Sequence, residues 1–75
     1  MATNEMTTPA LVAEAMKNED RSLKWTAERS GIAISTLRRK LAGGSEFTTG
    51  ELIRIGAALR VHPADLLPTE FARAA

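Results

Sequence analysis

Cysteine is absent from the 75 residues, so no disulfide and no thiolate metal site can staple the chain. Tyrosine is absent too, and the only aromatic residues are Trp25, Phe47 and Phe71. Any core must therefore be built from Leu, Ile, Val, Ala and Met. A single histidine, His62, leaves metal chelation and imidazole-based catalysis without their usual groups. No paired carboxylates bracket a polar segment, so the chain is expected not to be an enzyme and to need no cofactor. No stretch approaches a membrane span, and no basic segment followed by an apolar run opens the chain. A soluble, cytoplasmic, nucleoid-associated protein is expected.

What is present is a chain near the lower size limit for independent folding, 44% hydrophobic and 25% charged. Its net charge of +1 conceals a strong segregation. Between residues 21 and 40 stand Arg21, Lys24, Arg29, Arg38, Arg39 and Lys40 against Glu28 alone, while the remainder carries four cations and eight acids. A basic patch of this kind selects polyanions as partners.

Helical periodicity and turn residues divide the chain into five short helices, with residues 1–7 and 69–75 as tails around a domain at 8–68. Thr8 with Pro9 reads as the first helix start, its hydroxyl capping, with Leu11, Val12, Ala15 and Met16 inward. Ser22 caps a second helix with Leu23, Thr26, Ala27 and Ser30 inward, and Gly31 ends it. A third runs from Ile34 to Leu41 and breaks at Gly43-Gly44-Ser45. Thr48-Thr49-Gly50-Glu51 has the form of a capping box. It opens a fourth helix with Leu52, Ile53, Ile55, Ala58 and Leu59 inward and Gly56 at a tight helix contact. His62-Pro63-Ala64-Asp65 starts the last, with His62 as cap and Leu66, Leu67 and Phe71 in the core or at a dimer contact.

The third helix carries the sharpest signal. With Leu37 at zero on a wheel of about 100° per residue, Leu41 and Ile34 fall at about 40° and 60°, an apolar stripe. Ser35 and Arg39 fall at about 160° and 200°, Thr36 at about 260°, and Arg38 and Lys40 flank at about 100° and 300°. Such a helix anchors one side and offers cations on the other. In a major groove a central arginine can bond guanine O6 and N7 bidentately while flanking cations meet phosphates. A run of cations alone is more often a solvated face; the Ala27-x3-Gly31-Ile32-x4-Leu37 spacing, which lets two helices cross closely, moves the weight toward DNA.

TAERSGIAISTLRRKLAGG, FTTGELIRIGAALRV and HPADLL together resemble the lambda-repressor-like, Cro-type helix-turn-helix domains, without a gap from Ser22 to Leu67. The resemblance implies an all-α bundle of five helices that binds double-stranded DNA through its second and third helices, commonly as a repressor. It places Ile34, Ser35 and Arg39 on base-contacting slots; the wheel selects Ser35 and Arg39 independently, but puts Ile34 at the rim of the core. Phosphate contacts are expected from Thr36, Arg38 and Lys40, and from Lys24, Arg29, Arg21 and Ser22 around the second helix, where Ser22 can equally act only as a cap. Leu23, Thr26 and Lys40 depart from the family pattern, which has a Gln, an aliphatic and an aliphatic there. Trp25 points away from the second helix's inward face, toward a sugar–phosphate edge, a partner subunit or the N-terminal tail.

The function this implies is a small phage-type repressor, controlled by its own concentration and by operator affinity rather than by a ligand. A monomer, a homodimer and a dimer formed only on DNA all remain open. A protein-interaction module on the same scaffold, such as the antitoxin of a toxin pair or a polymerase adaptor, is the competing expectation.

Overall fold

The computed structural model of the protein describes residues 7 to 68. The expected tails at 1–7 and 69–75, apart from Thr7, and with them Phe71, lie outside the described residues. Four α-helices follow one another, α1 (Thr8–Asn18), α2 (Leu23–Ser30), α3 (Ile34–Leu41) and α4 (Thr49–Leu59), and no strand occurs among the described residues. The fifth element, Pro63–Leu66, is a single 3₁₀ turn rather than an α-helix. It begins on Pro63 and Pro68 follows two residues after its end, which leaves no room for more.

The ends of the helices obey local chemistry. Thr7, not Thr8, caps α1: its hydroxyl accepts the Ala10 N–H at 3.4 Å, and Pro9 takes the second helical position. Ser22 Oγ accepts the Trp25 N–H at 3.0 Å. The reciprocal pair at α4 is complete, with Thr48 Oγ1 accepting from Glu51 N at 3.1 Å and Glu51 Oε1 accepting from Thr48 N at 2.8 Å. His62 Nδ1 accepts the Ala64 N–H at 3.0 Å, so the histidine caps the 3₁₀ turn. At the other end of α3, Gly43 takes φ +89°, its N–H bonds Lys40 O, and the Gly44 N–H bonds Arg39 O. That double closure is a Schellman motif, and it fixes where the last turn of α3 stops.

Packing is aliphatic throughout. Leu37, Ile55, Leu59, Leu66 and Val12 are the largest fully buried apolar side chains, with Met16, Ala27, Ile32 and Leu52 around them. Among the described residues no aromatic side chain belongs to the buried set; Trp25 and Phe47 are half-buried at its rim. α2 lies between α4 and α3, and α1 closes the other side against α3, α4 and the 3₁₀ turn. Ile53, expected inward, is instead 53% exposed, because α4 turns only its Leu52-Ile55-Gly56-Leu59 stripe to the core. Gly56 is tight against the returning chain rather than against a helix: a Cβ there would stand 2.7 Å from Val61 O and 3.3 Å from Pro63 Cγ.

α2 presses two hydroxyls into this interior. Thr26 and Ser30 are buried, yet Thr26 Oγ1 donates to Ser22 O at 2.9 Å and Ser30 Oγ to Thr26 O at 2.7 Å. Each donor bonds the preceding turn of its own helix, so burial leaves no unsatisfied polar atom. That is how a threonine is accommodated in an aliphatic interior. Short side chains along α2 also let its neighbours approach closely.

Candidate functional site

The connection between α2 and α3 is three residues long. Gly31 closes α2 at φ +75°, a left-handed conformation that an L side chain resists, and its N–H bonds Ala27 O at 3.0 Å. Ile32 is buried and Ala33 leads directly into α3. Ala33 carries no side-chain acceptor, so the first-turn N–H groups of α3 have no capping partner.

α3 divides sharply around its axis. Leu37 is fully buried, and Leu41 is half-buried beside it. Ser35, Arg38 and Arg39 are exposed and Thr36 is half-exposed. Ile34 is 39% exposed, at the rim of the core rather than inside it. It lines instead a shallow groove of about 330 Å³ with Lys24, Ala27, Glu28 and Ile32, where α2 meets the start of α3. Arg39 is held from below by the loop that follows: a Cβ on Gly44 would sit 2.7 Å from Arg39 Cγ and 3.2 Å from Arg39 O. The glycine therefore makes room for the arginine stem.

Lys40 departs from the expected phosphate contact. Its ammonium donates to Glu51 Oε1 at 2.6 Å, with the two side chains only 10% and 13% exposed. This is the one ion pair among the described residues. A lysine flexible enough to reach outward bends inward here because Glu51 is already fixed by the capping box at the start of α4. Its hydrogen bond from Lys40, with further help from the Thr48 N–H, holds the Glu51 carboxyl below its ordinary value of 4.5, against the opposing effect of desolvation. Lys40 thus ties α3 to α4.

The cations around α2 do not form one patch. Lys24 stands on the α3 side, in the groove with Ile34. Ser22 is exposed, with its hydroxyl oxygen occupied by capping and its O–H free to donate. Arg21 and Arg29 lie on the other side of α2, both stacked over Trp25, with guanidinium carbons 4.2 Å and 5.3 Å from the ring centroid. There they line a second depression, of about 560 Å³, with Arg54, Ala57 and Arg60 of α4 and its end. Arg54 and Arg60 had no place in the reading of the sequence, where they counted among the scattered remainder. The i, i+3, i+4 spacing of Arg54, Ala57 and Ala58 marks one face of α4, but only the packing of α4 on α2 brings that face to Trp25.

No helix among the described residues is long and apolar enough to cross a membrane, and no group of three His, Cys, Asp or Glu residues there could hold a metal ion. Comparison with protein-family models, with curated proteins and with solved structures returned no match.

Proposed function

We propose that this protein binds double-stranded DNA sequence-specifically through a helix-turn-helix formed by α2, the Gly31 turn and α3, and that it regulates transcription as a Cro-like repressor. The observation that carries the reading is the division of α3. Leu37 and Lys40 anchor one side, while Ser35, Arg38 and Arg39 leave the other with no carboxylate paired to them among the described residues. A helix so mounted fits a major groove, whose base edges it can reach only with side chains not committed elsewhere.

In this reading Arg39, steadied by Gly44, reads guanine, and Ser35 reads a neighbouring base edge. Exposed Ile34 meets a thymine methyl. Arg38, Thr36, Lys24 and the Ser22 hydroxyl hold phosphates and set the register. Repression follows from occupying an operator that overlaps a promoter.

Selection of duplexes from a random-sequence pool tests this directly. A recovered motif containing at least one guanine, lost when Arg39 is replaced by Ala, is the expected result. A palindrome with half-sites about 34 Å apart would add that two copies bind together. Recovery of no motif, with all duplexes bound equally, would refute sequence-specific reading.

A further inference from the structure

The depression between α2 and α4 is not explained by a reading helix on the far side of α2. On α2, Lys24 and Arg29 are separated by about 140° at 100° per residue, so a duplex seated on α3 and Lys24 leaves the Trp25 side uncovered. Arg21, Arg29, Arg54 and Arg60 converge there, and none has a carboxylate ion-pair partner among the described residues. We propose that this groove is a second nucleic-acid site, which grips the phosphodiester backbone of another duplex segment and lets one protein molecule bridge two.

The chemistry of the lining selects the occupant. The side-chain polar groups of the lining are donors: four guanidiniums and the Trp25 indole N–H, with the Arg54 Nε–H donating to Gly50 O at 3.4 Å and the Ser30 hydroxyl to Thr26 O. Four guanidiniums with no carboxylate among them favour a chain of anionic acceptors, which a phosphodiester supplies. The Trp25 face carries guanidiniums, so the ring is not a platform for an unpaired base or an apolar side chain. Its part is to keep the Arg21 and Arg29 guanidiniums beside it by cation–π attraction, with donors that suit phosphate oxygens. Arg54 and Arg60 lie about 9 Å apart along the axis of α4, close to the axial length of about three phosphates of one strand. Small Ala57 and Ala58 form the floor and permit close approach.

Arg60 adds an independent pointer. It holds φ +63° at the end of α4, a left-handed conformation that favours glycine and strains a long side chain. Glycine would make the better helix end there, and arginine instead supplies a guanidinium to the groove.

The single tryptophan of the chain reports on this site and not on α3. The test is Trp25 emission while a random duplex is added to protein already saturated with its selected duplex. The proposal rests on the proposed function only for that first duplex. The double variant R54Q/R60G should bind the selected duplex as the parent does. Its affinity for the second duplex should fall at least about tenfold, with a log–log salt slope shallower by about two. R60G alone should raise Tm by about 4 °C, which separates lost binding from lost folding. If no selected duplex exists, the random duplex is added directly. An emission change abolished by R54Q/R60G but kept in R39A then supports the groove while the α3 reading falls. An unchanged emission, an equal response in the double variant, or stronger binding of polyglutamate than of duplex would overturn the proposal. So would tripolyphosphate matching the duplex at equal phosphate concentration, which would make the groove a small-anion site.

Discussion

Replacing Lys40 by Met separates a tie within the fold from a contact with DNA. The methionine keeps the stem that packs between α3 and α4 and deletes only the ammonium that meets Glu51 Oε1 at 2.6 Å. A hydrogen bond to a charged group contributes about 1.5–3 kcal/mol net. The lower end applies here, because Glu51 keeps its Thr48 N–H at 2.8 Å and some contact with water. A loss of about 1.5–2 kcal/mol corresponds to ~10 °C in Tm for a chain of this size. Glu51→Ala should cost more, about 3 kcal/mol, since it both strands the buried ammonium and opens the capping box. The double variant should lose less than the sum of the two, by about 1.5 kcal/mol, as expected for groups in contact.

Thermal and urea unfolding followed by far-UV circular dichroism would measure all four proteins. The pH dependence supplies a second check with a definite sign. Glu51 has a lower pKa folded than unfolded, so its contribution is present above pH 4.5 and is lost as pH falls through the lowered folded value. The gap between parent and Lys40→Met should therefore shrink in acid. Well below the melting temperature, DNA affinity and its salt slope should be the same in both. A Lys40→Met protein that melts with the parent but loses about one unit of salt slope would refute the reasoning and return Lys40 to the phosphate backbone.

Arg39→Ala should cost about 1–3 kcal/mol on the selected duplex and relax preference at one position, whereas Lys24→Ala should weaken all duplexes about equally; titrations against matched and scrambled sequences decide. Gly44→Ala drives a Cβ to 2.7 Å from Arg39 Cγ, so the arginine must change rotamer. It should lose about 1 kcal/mol of sequence preference with little change in Tm, read by the same titrations. Gly56→Ala gains about 1 kcal/mol in helix propensity but places its Cβ 2.7 Å from the backbone oxygen of Val61. A net loss of about 1–2 kcal/mol is expected from urea unfolding, since that oxygen belongs to a chain already bonded back to α4.

What was legible beforehand came from short-range rules. Ser22, Gly31, the Thr48–Glu51 box, His62 and the bounds of α3 depend on residues within four or five positions, and local hydrogen bonding decides them. The opposition of Leu37 to Ser35 and Arg39 follows from helix periodicity alone. Ile53 was misjudged for a related reason, because periodicity gives a face but not how far a neighbouring helix covers it. It lies at the edge of its stripe, and the packing partners stop short of it.

The sequence by itself determined the four α-helices, the caps of α2 and α4, an aliphatic core and a cation-bearing face on α3, because each is a matter of neighbours along the chain. Only the tertiary structure decided the fate of the cations, since a charge is committed by what the fold places beside it. Lys40 meets Glu51 eleven residues away and turns inward, while Arg54 and Arg60 cross to Arg21, Trp25 and Arg29 and form a second basic groove. Long, flexible side chains go where long-range packing puts a partner, and no spacing in the sequence records that.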